Sequence, residues 1–275
     1  MKLVPRNLFF VVTLVAALFA AGCSRQSGEH LVLTGSSTIA PLATVLAERF
    51  EAAHPGVKVD VQAGGSARGV ADVRQGLANI GMVSRALKAD EGDLVADTIA
   101  QDGIAMIVHR DNPVAALTRE QIIAIYTGKL RDWKAVGGTD APITVVNKAE
   151  GRSTLELFLS HLKLEAPAIR ADVVIGDNQQ GIKTVAGNPQ AIGYVSIGTA
   201  EYEAGRGTPV RLLPLDGVEP STATVAAGRF PLSRPLNLVH RGELSGIARD
   251  FVAFARSPQV NDLVTGQYFV PPAVR

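Results

Sequence analysis

Three short loops rich in Gly, Ser and Thr constrain this chain more than any other feature. Each follows a β-patterned segment and runs directly into a helical pattern. They are Gly35-Ser36-Ser37-Thr38, Gly64-Gly65-Ser66-Ala67-Arg68 and Gly151-Arg152-Ser153-Thr154. The first backbone N–H groups of a helix have no intrahelical partner, and the macrodipole places partial positive charge there. Such an end, flanked by Gly and by donor hydroxyls, suits a small anion. One such loop would say little, because Ser and Thr are also common helix caps. Three of them, two carrying an Arg, point to an oxyanion held among helix ends.

The pattern between the loops predicts an α/β fold. Residues 30–34, 57–62, 103–108, 143–146, 173–175, 192–196 and 234–239 are short, apolar and β-branched, as strands require. Between them lie helical repeats: Leu42, Val45, Leu46 and Phe50 share one face, with Pro41 near the start, and Val70, Val73 and Leu77 share another. Thr118 and Gln121 form a capping box ahead of a helix to Tyr126, and further helices are expected over 154–162, 179–186 and 244–255. Such alternation predicts largely parallel, buried strands. In open sheets of this kind ligands sit beyond the carboxyl ends of the strands, where all three loops fall.

The N-terminus bears on location. Lys2 and Arg6 precede an uncharged apolar run from Leu8 to Ala21, too short to span a bilayer comfortably and suited to a signal-peptide core. It ends in Leu18-Phe-Ala-Ala-Gly-Cys23, which resembles a bacterial lipobox. Cys23 is the sole cysteine, so no internal disulfide forms, and lipidation of Cys23 would explain an unpaired thiol in an exported chain. Residues 1–22 are therefore expected as a lipoprotein signal peptide, and 23–30 as lipidated Cys (palmitate among its chains) and tether. Ser24 lacks the Asp that often marks inner-membrane retention, which favours the outer membrane. An ordinary cleaved signal with a spare Cys is the plainer alternative.

Charge and composition narrow the partners. The chain has 27 Lys and Arg against 26 Asp and Glu, and loss of Lys2 and Arg6 leaves it near neutral. Nucleic acid is disfavoured, since it needs a basic face, and aromatics for base stacking are sparse. His30, His54, His109, His161 and His240 show no metal-ligand spacing, so neither a metal nor another cofactor is expected. The chain contains no nucleophile elbow, no Walker loop and no local Ser–His–carboxylate set, which argues for a binding protein and against an enzyme. The roughly 245 residues after the tether suffice for one large domain or two moderate ones.

Several segments have a recognisable wording. Thr34–Leu42 (TGSSTIAPL), Ile80–Arg85 (IGMVSR) and Asp102–Val108 (DGIAMIV) are among them, as are Tyr126–Trp133 (YTGKLRDW), Asn188–Ser196 (NPQAIGYVS) and Phe230–Leu236 (FPLSRPL). Together, and in this order, they resemble the phosphate-binding proteins of bacterial ABC phosphate importers. The resemblance spans essentially the whole mature chain. It implies a two-lobed periplasmic-binding-protein fold, a type II-like clamshell with the ligand between α/β lobes. The chain would cross near His109–Pro113 and return near Ser233–Leu236, giving a discontinuous first lobe (31–109 and 233–275) and a second lobe (110–232). The implied protein is a lipid-anchored monomer on the periplasmic side of a membrane that binds inorganic phosphate and delivers it to permease subunits. Carried over by position, the implied contacts are Ser36, Ser37, Thr38, Ser66, Ser84, Arg85, Ser153 and Thr154.

Two departures from the family pattern matter. Gly151-Arg152-Ser153-Thr154 stands where relatives usually have Gly-Ser-Gly-Thr, with Lys148 as the preceding basic residue. Arg152 either takes a forked role on the anion, which is favoured, or turns outward to pair with Glu150. Asn79 stands where relatives often carry Asp, a change expected to affect packing. Arg68 is either a contact or an exposed helix-start residue. Because phosphate carries a proton at neutral pH and sulfate does not, a buried acceptor must distinguish them, and Glu150 and Asp72 lie near the loops. Sulfate, phosphonate or molybdate carriers, and a lipid-anchored phosphate sensor, remain the alternatives.

Overall fold

The computed structural model describes residues 29–272. The signal segment, Cys23 and most of the tether lie outside these residues. Strands β1 (His30–Gly35), β2 (Lys58–Ala63), β3 (Ile80–Val83), β4 (Leu94–His109), β5 (Thr144–Lys148), β6 (Val173–Ile175), β7 (Ala191–Ser196), β8 (Val210–Leu213) and β9 (Ser233–Arg241) follow in chain order. The helices used below are α1 (Ala40–Ala53), α2 (Ser66–Arg74), α3 (Arg119–Tyr126), α4 (Ser153–Leu162), α5 (Asn178–Ala186) and α6 (Ile197–Gly205).

The strands run in the order β2-β1-β3-β9-β4-β7-β5-β6, with β8 also beside β4. Pairs β1–β2, β1–β3, β5–β6 and β5–β7 are parallel, as the alternating pattern predicts. The middle of the sheet is antiparallel, because β4 and β9 run against each other and against β7, β8 and β3. The expectation of a largely parallel sheet is therefore corrected to a mixed one.

The long strand β4 joins two lobes. Its first part, from Leu94 to Gly103, pairs with β9, whereas Ile104 to His109 pairs with β7 and β8. One core gathers Leu31, Leu33, Leu42, Leu46, Phe50, Ile80, Leu236 and Phe251; another gathers Ile104, Met106, Tyr126, Trp133, Phe158 and Tyr194. β4 thus changes partners at Gly103–Ile104, ahead of the His109–Pro113 segment, and β9 begins opposite that point at Ser233. The boundary is invisible in the sequence because an unbroken apolar strand carries it. The Asp111-Asn112-Pro113 break only ends that strand.

Local signals hold at several helix starts. Thr118 Oγ1 accepts from Gln121 N at 3.2 Å while Gln121 Oε1 accepts from Thr118 N at 2.8 Å, closing the capping box of α3. Asp177 and Ser196 cap α5 and α6 with their side chains. By contrast α2 and α4, two of the helices that follow the Gly/Ser/Thr loops, start at Gly65 and Arg152 with no side-chain cap.

Candidate anion-binding cleft

In the first lobe the loops interlock. Gly35 has φ +131°, and a Cβ there would lie 2.3 Å from Met82 O, so the turn after β1 can approach β3 only as Gly. Ser36 N donates to that same carbonyl at 2.8 Å. Ser36 Oγ donates to Ser84 Oγ at 2.9 Å and accepts from Thr38 N at 3.2 Å, while Ser84 N donates to Ser66 Oγ at 3.2 Å. Ser36 and Ser66 therefore brace the ends of the three lobe-one segments, and both are buried.

The second lobe sets its donors by aromatic packing. Phe158 of α4 stacks on Tyr194 of β7 with ring centroids 3.9 Å apart, and Tyr126 packs against both. Tyr194 Oη donates to Asn147 Oδ1 at 2.6 Å and accepts from Lys148 N at 3.4 Å. Helix α4 and the end of β5 are thereby fixed together, which places Ser153 and Thr154 opposite the lobe-one loops. Ala67 N donates to Gly151 O at 3.3 Å across the interface, so the lobes stand closed.

Arg234 lies at the centre, with a fully buried side chain. Its Nε and Nη2 donate to Asp102 Oδ2 at 3.1 and 2.7 Å. Its remaining protons go to hydroxyls of both lobes: Nη1 to Thr154 Oγ1 at 3.0 Å and Ser84 Oγ at 3.4 Å, and Nη2 to Thr38 Oγ1 at 3.3 Å. A hydroxyl has one proton and two acceptor lone pairs. Thr38, Ser84 and Thr154 each accept from a cation, so each has its own proton left to donate. Ser153 Oγ is buried beside them without a partner. This is an arrangement for holding an anion with several acceptor oxygens.

A second basic side chain approaches from below. Lys148 Nζ donates to Asn178 Oδ1 at 3.0 Å, and Asn178 Nδ2 donates to Thr38 Oγ1 at 3.3 Å, again joining the lobes. Burial pushes the Lys148 ammonium down from 10.5 to about 7, with Arg234 and Arg152 adding repulsion against the attraction of Asp177. An anion in the cleft would offset that cost.

The sequence-predicted residues divide accordingly. Ser36, Thr38, Ser66, Ser84, Ser153 and Thr154 come together and are buried; Ser37 is half-buried on the same turn. The Arg85 guanidinium, expected as a contact, is bonded to carboxylates instead of to this cluster of hydroxyls. It donates to both oxygens of Glu91 at 2.6 and 2.7 Å, to Glu156 at 2.7 Å and to Ala86 O at 3.0 Å. These carboxylates hold Arg85 charged, and Arg85 holds Glu91 below the ordinary Glu value. Arg152 lies between Gly65 and Gly176 with its Nε buried and unpartnered, and no ion pair joins it to Glu150 among the described residues. Arg68 is turned away onto Asp72 at 3.0 Å and Gln62 at 3.1 Å, which also removes Asp72 from the cleft. Glu150 is exposed. No group of three His, Cys, Asp or Glu suited to a metal occurs among the described residues.

Arg234, Asp102 and Asn178 were missing from the expected site. Two of them stand inside recognised segments, FPLSRPL and DGIAMIV, yet they lie 132 residues apart in the chain. Taken locally, Arg234 marks only the return crossing. Asn178 begins a helix without a Gly-rich loop, so nothing marked it.

A family model for the PBP superfamily domain matches residues 23–259. The phosphate-binding protein PstS of Bacillus subtilis (strain 168) is 31% identical over 92% of this chain and 83% of its own length. The chain belongs to the PBP superfamily, and within it to the PstS family. Among solved structures, one with bound phosphate is of a Clostridium perfringens protein described as a phosphate ABC transporter substrate-binding protein. It superposes with a TM-score of 0.81 at 32% identity, covering 89% of this chain and 100% of that one. An ABC-type phosphate transport receptor from Vibrio cholerae gives a TM-score of 0.73, also at 32% identity, over 88% of this chain and 100% of its own. The two-lobed α/β fold is therefore that of a substrate-binding protein.

Proposed function

We propose that this chain binds inorganic phosphate in the cleft between its lobes and delivers it, outside the cytoplasm, to an ABC-type importer. The observation that carries the reading is the buried Arg234 guanidinium donating to the hydroxyls of Thr38, Ser84 and Thr154, which come from both lobes and keep their own protons to donate. The phosphate named for the B. subtilis relative and bound in the C. perfringens structure agrees with that chemistry. The protein is a binder, not a catalyst. Ser37, Thr38, Ser84, Ser153 and Thr154 are the contacts, Arg152 closes over them, and Ser36 and Ser66 support them. The closed lobes open for exchange by bending where β4 and β9 cross.

The protein acts as a monomer anchored by lipid on Cys23, palmitate included, on the periplasmic side of a bacterial membrane, the outer one favoured. Among the described residues no helix is long and apolar enough to cross a membrane. A permease completes the system.

One observation favours a second reading. The carboxylate bonded into the cluster, Asp102, has Oδ2 on Arg234 and Oδ1 on Ser196 Oγ at 2.9 Å and Gly198 N at 3.4 Å. It has no obvious capacity left for a phosphate proton, and a fully deprotonated oxyanion such as sulfate or molybdate needs no such acceptor. Calorimetric titration of phosphate, sulfate, molybdate and a phosphonate into protein stripped of ligand decides between them. Micromolar or tighter phosphate with silent sulfate supports the first reading; heat from sulfate or molybdate alone overturns it.

A further inference from the structure

Glu156 stands on the first turn of α4, in the second lobe, where Leu155 and Phe158 enter that lobe's core. Its Oε2 lies 2.7 Å from Arg85 Nε and 3.2 Å from Lys88 Nζ. Both cations belong to the first lobe: Asn237 Nδ2 of β9 donates to Arg85 O at 2.8 Å, and Leu87 packs beside Val70, Val83 and Val239. The carboxylate thus bridges the lobes at the rim, on the helix that supplies Ser153 and Thr154.

The geometry points to Glu156 as a positioning residue that latches the closed cleft, with Arg85 and Lys88 as its keepers. Arg85 is suited to this because its other donors are fixed within its own lobe by Glu91 and Ala86 O. Opening therefore breaks the Glu156 contacts while the buried Arg85–Glu91 pair stays formed. A carboxylate near a helix N-terminus is favourable in itself, but that preference does not require two cations from the opposite lobe. Because release must follow opening, the latch acts on the dissociation rate more than on the association rate. Lys88 is half exposed, so its arm is weakened by salt.

The latch rests on the anion-binding reading only for its kinetic readout. The test places spin labels at Gln75→Cys and Lys183→Cys, exposed positions on opposite lobes, in the full chain carrying Cys23→Ser. Interlobe distances and phosphate dissociation rates are compared for this background, for Glu156→Gln and for Lys88→Met. Glu156→Gln should shift the ligand-free distances towards longer values and speed phosphate release by roughly tenfold, with association changed by about twofold or less. Lys88→Met should do the same to a smaller degree and reduce the response to salt. Distances and release rates unchanged in Glu156→Gln would overturn the latch. If the background binds no phosphate but Glu156→Gln still lengthens the distances, the anion reading fails and the latch stands.

Discussion

Arg234 and Asp102 are directly paired residues on the antiparallel strands β9 and β4, and their side chains meet at 2.7 Å where β4 leaves the first lobe and β9 enters it. The ion pair therefore sits at the bend of the clamshell and at the centre of its hydroxyl cluster. Arg234→Lys keeps the charge but loses the fork that reaches Asp102 and both lobes' hydroxyls. Losing charge-assisted bonds worth about 1.5–3 kcal/mol each should weaken phosphate binding at least tenfold. Arg234→Ala should in addition lower stability by about 3–5 kcal/mol, because Asp102 is left buried without its partner. Calorimetry and denaturant unfolding measure the two effects separately. Unchanged affinity in Arg234→Lys would contradict the assignment.

Gly65 should be needed for closure. It has φ +99°, and a Cβ there would come within 2.7 Å of Gly151 O on the other lobe. Gly65→Ala adds backbone strain of about 1–3 kcal/mol and a clash present only when the lobes meet. A fall in phosphate affinity of roughly a hundredfold, with scattering from the ligand-free protein showing a more open shape, is the expected result. Normal affinity in this variant would mean that the loops do not meet during binding.

Lys148 makes stability depend on pH with a definite sign. Its ammonium titrates near 7 in the fold and at 10.5 as a free side chain. Between these values the unfolded chain holds the extra proton, so stability rises with pH; below about 7 the whole cost of burying the charge is present. Lys148→Met should thus be more stable than the parent at pH 6. Its advantage should shrink from pH 7 to 10 by about 1.4 kcal/mol per pH unit. Urea midpoints of both proteins, without ligand, test this. A constant difference across that range would rule out a neutral Lys148.

Replacing Cys23 should alter location and nothing else. Cys23→Ser is expected to release the protein from membranes while phosphate affinity stays the same. Fractionation of cells and calorimetry on the released protein check the two halves. Retention in the membrane fraction would refute lipid anchoring at this residue.

What the sequence made legible follows the range of the interactions. Loops such as Gly35–Thr38 and caps such as Thr118–Gln121 are set within a few residues, and they were readable. Thr38, Ser84 and Thr154 stand in segments of recognised order, and the fold gathers their hydroxyls around one guanidinium. The guanidinium among them was not, because Arg234 meets Thr38 across 196 residues and Asp102 across 132. The pairing of Arg85 is illegible for the same reason: a Ser-Arg turn reads as an anion contact, whereas Glu91 and Glu156, which take its donors, are brought in by the fold. The change of partners along β4 leaves no mark in the sequence, because the strand runs through it without a break in its apolar run.

A crystal structure of the protein with phosphate bound is the direct test of the cleft. One phosphate should lie between the starts of α2 and α4, its oxygens accepting from the hydroxyls of Thr38, Ser84 and Thr154. Density for phosphate elsewhere, or a closed cleft holding Arg234 and those hydroxyls with no anion among them at saturating phosphate, would contradict it.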